Sequence, residues 1–151
     1  MLDYVISNFY PEISGSDLVE RTQKMFEILI DRTAKMVAHW QAIGFCHGVL
    51  NTDNLSIVGL TIDYGPYGFM EHFDKNHICN HSDNEGRYKY AAQPSICAWN
   101  LEILRKSIKN YLKADYDSKQ LLDKYNELHQ NYFYEMMKQK LGLKMADSAL
   151  F

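Results

Sequence analysis

Residues 47–66 read HGVLNTDNLSIVGLTIDYGP, and this stretch decides what fold and chemistry the chain can support. It opens on His47-Gly48, passes through Asp53-Asn54 and closes on Asp63-Tyr64-Gly65. Between these polar ends lie two short β-prone runs, 55–58 and 61–62, separated by Gly59-Leu60. A two-residue link with glycine first fits a type II′ turn, so the spacing predicts a β-hairpin. In that register Val58 faces Thr61, Ile57 faces Ile62 and Ser56 faces Asp63. Asn54 and Asp63 then converge at the open end, beside Asp53. Asn and Asp supply oxygen ligands, which suit Mg²⁺ or Mn²⁺. Mg²⁺ usually takes one or two protein carboxylates and fills its other positions with water and phosphate oxygens. A sparse Asn/Asp pair therefore suits a metal–nucleotide complex better than an all-protein cage. The same pair beside a turn is also ordinary turn chemistry.

The rest of the chain narrows the setting. Its 151 residues suggest one domain, 1–151. The net charge of −3 and the lack of a Lys/Arg block give no footprint for nucleic acid. Cys46, Cys79 and Cys97 are odd in number and widely spaced, which fits a reducing compartment better than a disulfide framework. No apolar run approaches the ~20 residues of a membrane span. The opening MLDYVISNFYPEISGSD has no basic region of the signal-peptide kind. A cytoplasmic location is the expectation.

Residues 1–16 read as a loop or extended arm, broken at Pro11 and Gly15. Asp17 and Glu20 have capping-box spacing. Apolar residues then recur at Met25, Phe26, Leu29, Ala34, Val37 and Trp40, which predicts a long helix within 17–45 that stops at Gly44. The loop and hairpin of 46–66 follow. Residues 67–92 are rich in Gly, Asn, Asp and aromatics and read as a long loop of the kind that usually carries function. The remainder, 93–151, reads as helical. One helix is expected over 94–112 with Pro94 in its first turn. Another is expected over 119–141, capped by Ser118 and stopped by Gly142. The fold class is mainly α with one small β-hairpin.

The order of long helix, His-containing loop, Asn, hairpin and Asp-aromatic-Gly is that of a protein-kinase C-lobe, where the Asn and the Asp hold magnesium. Aligned that way, Val49 stands where a kinase keeps its catalytic aspartate. A closer likeness lies in RTAKMVAHWQAIGFCHGVLNTDNLSIVGLTIDYGPYGFM (32–70), ICNHSDNEGRYKY (78–90) and QPSICAWNLEIL (93–104), with YPE at 10–12 and KLGL at 140–143 in support. On these residues the chain resembles the selenoprotein O (SelO/YdiU) family of kinase-fold pseudokinases. The resemblance implies transfer of AMP from ATP to Ser, Thr or Tyr hydroxyls of proteins, with release of pyrophosphate and with ATP bound in reversed orientation. It implies that Asp53 is the proton acceptor, that Asn54 and Asp63 hold Mg²⁺ or Mn²⁺, and that Asp63 also contacts ATP. A reversed ATP presents its α-phosphorus for attack, which fits an acceptor carboxylate at Asp53 and none at position 49.

The resemblance also implies parts not found here: an N-lobe with a Gly-rich loop, a Lys–Glu pair and phosphate-binding Arg residues, and a long C-terminal portion. The chain reads as the central part of a kinase-like C-lobe, N-lobe absent. Two other functions stay open. One is an inactive remnant or binding module of the family; the other is an atypical kinase moving the γ-phosphate, against which Val49 argues. A C-lobe exposing its interdomain face is expected to seek a missing N-lobe or to self-associate.

Several other residues take structural readings. His72, His77, Cys79 and His81 invite zinc, but their spacing matches no familiar finger, and a hydrogen-bonded loop is expected. Arg87 is expected to pair with Asp83. His47 is expected to organise its loop rather than act as a base. Trp40 and Trp99 are assigned to the core. Cys46 has no basic neighbour beyond His47, so no nucleophile is assigned.

Overall fold

The computed structural model describes residues 1–143. The elements run α1 (Leu2–Phe9), α2 (Leu18–Ile43), β1 (Phe45–Cys46), β2 (Gly68–Phe69), α3 (Gln93–Ser107) and α4 (Ser118–Leu141), with 3₁₀ turns at Thr52–Asn54, Tyr90–Ala92 and Lys109–Tyr111. Among the described residues the architecture is four helices and one small antiparallel sheet, mainly α as the sequence implied.

The centre is α2. Asp17 caps it by accepting from the Val19 N–H at 2.9 Å, and Gly44 ends it in the left-handed conformation at φ 74°. Its buried stripe of Met25, Phe26, Leu29, Ile30, Ala34, Val37 and Trp40 meets Cys97, Ala98 and Leu101 of α3 and Leu121 and Tyr125 of α4 in one core. Each large side chain buried there contributes about 1.5–3 kcal/mol of transfer free energy. Two polar contacts fix α4 along α2: the Tyr132 hydroxyl donates to Asp31 Oδ1 at 2.7 Å, and Lys140 Nζ donates to the Ala42 carbonyl at 2.7 Å.

Four expectations change. The arm 1–16 contains a helix: Leu2, Val5 and Ile6 turn one face to the core, with Ile6 fully buried. Asp3 bonds Arg21 at 2.8 Å and so ties α1 to α2. The helix-breaking residues Pro11 and Gly15 lie only after it. The cap of α4 is Asp117, which with Gln120 makes a complete capping box, while Ser118 is the first helical residue. The α3 helix ends at Ser107, and a 3₁₀ turn buries Ile108 and Leu112 in place of the longer helix.

The fourth correction is the hairpin. Residues 55–62 do not pair as strands. The Val58 and Gly59 N–H groups bond back to Ser56, and two further polar groups are taken by side chains of Tyr10 and Trp40. The Tyr10 hydroxyl donates to the Ile57 carbonyl, Trp40 Nε1 donates to Thr61 Oγ1 at 2.9 Å, and Gly59 turns at φ 73°. A Cβ on Gly59 would stand 2.4 Å from Arg32 Cβ, so this segment lies directly on α2. Once docked there it has no free edge to pair with. The only strand pairing among the described residues joins β1 to β2, with Phe45 opposite Phe69 and Cys46 opposite Gly68. These strands bracket the 47–66 stretch.

Candidate functional site

The loop after β1 is held by side-chain amides. The Gln93 side chain bridges it, accepting from the His47 N–H at 2.9 Å and donating to the Phe45 carbonyl at 2.9 Å. Asn100, seven residues on along the same buried face of α3, donates to the carbonyls of Leu50 (3.1 Å) and Asn51 (3.4 Å). Asn80 donates to the Gly48 carbonyl at 3.1 Å, and the Tyr88 hydroxyl donates to Asn51 Oδ1. Gly48 has φ 83°, and a Cβ there would meet Cys79 Sγ at 2.7 Å. Buried backbone that lacks a ladder needs such partners.

His47 is fully buried, and its Nε2 lies 2.8 Å from the Ile62 carbonyl. A carbonyl only accepts, so Nε2 carries the proton. Nδ1 is buried with no partner among the described residues. The ring therefore ties the 45–51 loop to the residue before Asp63, which is the organising role expected of it.

Asn54 ends the 3₁₀ turn Thr52–Asn54. Its Nδ2 donates to the Val49 carbonyl at 3.0 Å, which commits the amide's donor side and leaves Oδ1 free of any described partner. Asp53 is exposed on the same turn. Asp63 is exposed and holds φ 54°, the one positive φ outside glycine among the described residues. The Gly65 N–H closes a tight turn onto the Asp63 carbonyl at 2.8 Å. Neither carboxylate has a described partner. The free groups are all oxygens, a donor set that suits a hard cation. Among the described residues no three His, Cys, Asp or Glu group together as a metal site.

An aromatic shelf adjoins Asp63. Phe45 contacts Tyr64, Tyr67 and Phe69 at ring separations of 6.2, 5.9 and 5.4 Å. Cys46, the next residue in β1, is fully buried. Burial first, then the neighbouring Cys79 thiol, pushes its pKa up to about 12, so it remains a thiol. Cys79 Sγ donates to the Cys46 carbonyl at 3.3 Å, which gives that cysteine a structural task.

Two of the structural readings do not hold. Asp83 does not pair with the Arg87 side chain; its oxygens accept the backbone N–H groups of Arg87 (2.9 Å) and Tyr88 (2.8 Å). Trp99 is 45% exposed because it lies two residues from buried Leu101, about 200° around the helix. Trp40 is buried as expected. Gln93, Asn100, Asn80 and Tyr88 were not singled out from the sequence. The usable signal was two amides seven apart on the apolar face of α3.

The family model described as "Protein adenylyltransferase SelO" matches residues 1–150. The chain belongs to the SelO family. Its relatives include protein adenylyltransferase SelO-1, mitochondrial, of Danio rerio, 54% identical over 145 residues. Protein adenylyltransferase SelO, mitochondrial, of Homo sapiens is 50% identical over 146 residues. Protein nucleotidyltransferase YdiU of Ectopseudomonas mendocina (strain ymp) is 43% identical over 145 residues. These alignments cover 95–96% of this chain but only 21%, 22% and 29% of the respective relatives. This SelO-family chain therefore spans less than a third of their length. The vertebrate SelO proteins are named mitochondrial, a different compartment from the cytoplasm expected above. No helix among the described residues is long and apolar enough to cross a membrane.

Proposed function

We propose that this chain is the metal- and nucleotide-binding part of a protein adenylyltransferase built on a kinase-like C-lobe. The carrying observation is the pair of bonds Asn54 Nδ2 to the Val49 carbonyl and His47 Nε2 to the Ile62 carbonyl. They orient Asn54 and the approach to Asp63 from one rigid loop. The names of the SelO and YdiU relatives support the reaction class.

In this reading Asn54 Oδ1 and the Asp63 carboxylate hold Mg²⁺ or Mn²⁺, and Asp63 also meets ATP. The metal neutralises phosphate charge and acts as a Lewis acid. A Ser, Thr or Tyr hydroxyl oxygen attacks the α-phosphorus. The bond from that phosphorus to the bridging oxygen of pyrophosphate breaks, and the hydroxyl proton passes to the Asp53 carboxylate. Asp53 suits this task because it is exposed and uncommitted, so a substrate hydroxyl can come within hydrogen-bond reach. Val49 supplies no carboxylate for γ-phosphate chemistry. Phosphoryl chemistry needs positioning and charge stabilisation more than covalent help, and the clamped loop supplies positioning.

Incubation with ATP labelled at the α- or the γ-phosphorus tests the reading. Label retained on protein from the α position alone is expected. Label from the γ position would make the chain a kinase. A second reading rests on length: a chain spanning 21–29% of its relatives can bind nucleotide without turning over. Metal-dependent ATP binding with no label on protein would select it.

A further inference from the structure

Beside the Asp53 turn lies a surface stack of Arg87, Trp99 and Tyr88, in which the Tyr88 ring also packs against the core. Arg87 is exposed, and its guanidinium carbon sits 5.1 Å from the Trp99 ring centroid and 5.6 Å from that of Tyr88. The rings stabilise the cation by its charge but give its five N–H donors no lone pair. Arg87 makes no ion pair or side-chain hydrogen bond with any described residue, since the nearby Asp83 is spent on backbone N–H groups. Large exposed tryptophans are uncommon, and Trp and Arg are the residue types most enriched at binding hot spots.

Tyr88 is bonded to the residue that starts the Asp53 turn, and so is Asn100, the chain neighbour of Trp99. The Tyr88 hydroxyl donates to Asn51 Oδ1. Asn100, adjacent to Trp99, donates to the Asn51 carbonyl at 3.4 Å. Asn51 is the N-cap of Thr52–Asn54. The stack, through Tyr88, and the proton acceptor are thus positioned by one residue, with the stack pre-ordered and its cation unpaired.

We propose that the Arg87–Trp99–Tyr88 stack receives the acceptor protein and favours a segment carrying an acidic side chain within a few residues of the target hydroxyl. This rests on the adenylyltransferase reading above. It assigns the acceptor chemistry that the reading leaves open. The acidic side chain meets the guanidinium fork, and the flanking backbone lies against the Trp99 face. A planar, ring-held guanidinium suits carboxylate better than a mobile lysine would.

The test is peptide binding in the absence of nucleotide and metal, so its outcome does not depend on the ATP site. The chain has two tryptophans. Trp40 is buried with Nε1 bonded to Thr61, which makes its indole N–H resonance an internal control, and Trp99→Phe assigns the other. Ser peptides with Glu one to three residues from the Ser are titrated beside their Gln counterparts. The Trp99 resonance is expected to shift and the Trp40 resonance to stay. The Glu peptides are expected to bind roughly three- to tenfold tighter. Arg87→Gln is expected to erase that difference at unchanged melting temperature. Equal affinity for Glu and Gln peptides, discrimination that survives Arg87→Gln, or a Trp99 signal that no peptide moves would each overturn the proposal. ATP–metal titration reports separately on the reading beneath it.

Discussion

Asp63 joins two requirements in one residue. Its backbone is left-handed, which Asp and Asn tolerate better than most side chains, and its carboxylate faces solvent without a described partner. Asp63→Asn keeps the backbone preference and removes the charge. Calorimetric titration with ATP and Mg²⁺ or Mn²⁺ should show metal-dependent affinity falling roughly tenfold or more at near-constant melting temperature. Undiminished affinity would remove Asp63 from the metal site. Gly59 is bound by geometry instead. With φ 73° and an added Cβ at 2.4 Å from Arg32 Cβ, Gly59→Ala combines backbone strain with a clash against a helix. A loss of about 2–4 kcal/mol is expected in urea denaturation. A loss below about 0.5 kcal/mol, the range of neutral surface changes, would mean that the segment does not lie on α2.

At the scale of elements, the junction of α3 with α4 is electrostatic. Glu102 accepts from Arg105 at 2.7 and 3.0 Å and from Ser118 Oγ at 2.8 Å. Arg105 in turn donates to the Tyr116 carbonyl at 3.2 Å. The hydrogen bonds from Arg105, foremost, hold the Glu102 pKa down to about 2, against the opposing effect of burial. A depressed carboxylate stabilises the fold above its unfolded-state pKa and loses that contribution as pH falls through the folded one. Glu102→Gln should therefore cost about 1–3 kcal/mol near neutral pH. The gap between wild type and variant should close between about pH 5 and pH 2, read by chemical denaturation at each pH. A gap that stays constant over that window would show that the ionised form is not what stabilises the junction.

Over the whole molecule, apolar surface is unevenly placed. Tyr64, Tyr67 and Phe69 are 58%, 47% and 59% exposed and cluster around Phe45 beside Asp63. Contiguous exposed apolar surface favours association. Sedimentation velocity should show a mass average that rises with concentration, and the double variant Tyr67→Ser/Phe69→Ser should remain monomeric at unchanged helical content. A wild-type chain that is monomeric at high concentration would count against this face as an interface.

The three longer helices and both ends of α2 were legible in the sequence, whereas α1, the end of α3 and the cap of α4 were not. The period of Met25, Phe26, Leu29, Val37 and Trp40, the stops at Gly44 and Gly142, and Pro94 in the first turn of α3 are local signals, because capping and amphipathicity act within a few residues. The 47–66 stretch, with the longer matches around it, was enough to point to the family. The path of 55–62 was decided only by tertiary structure. The β-prone runs on either side of Gly59-Leu60 favour a hairpin, but hydrogen bonds from Tyr10 and Trp40, with the close pass of Gly59 over Arg32, draw the segment onto α2. Those partners lie 21 to 47 residues away along the chain, beyond any local pattern. The same holds for Gln93 and Asn100: their residue types were visible, but that their amides complete the backbone of the 45–51 loop follows from how α3 packs. Local propensity set the elements, and the need to satisfy buried backbone groups set the shape of the loop between them.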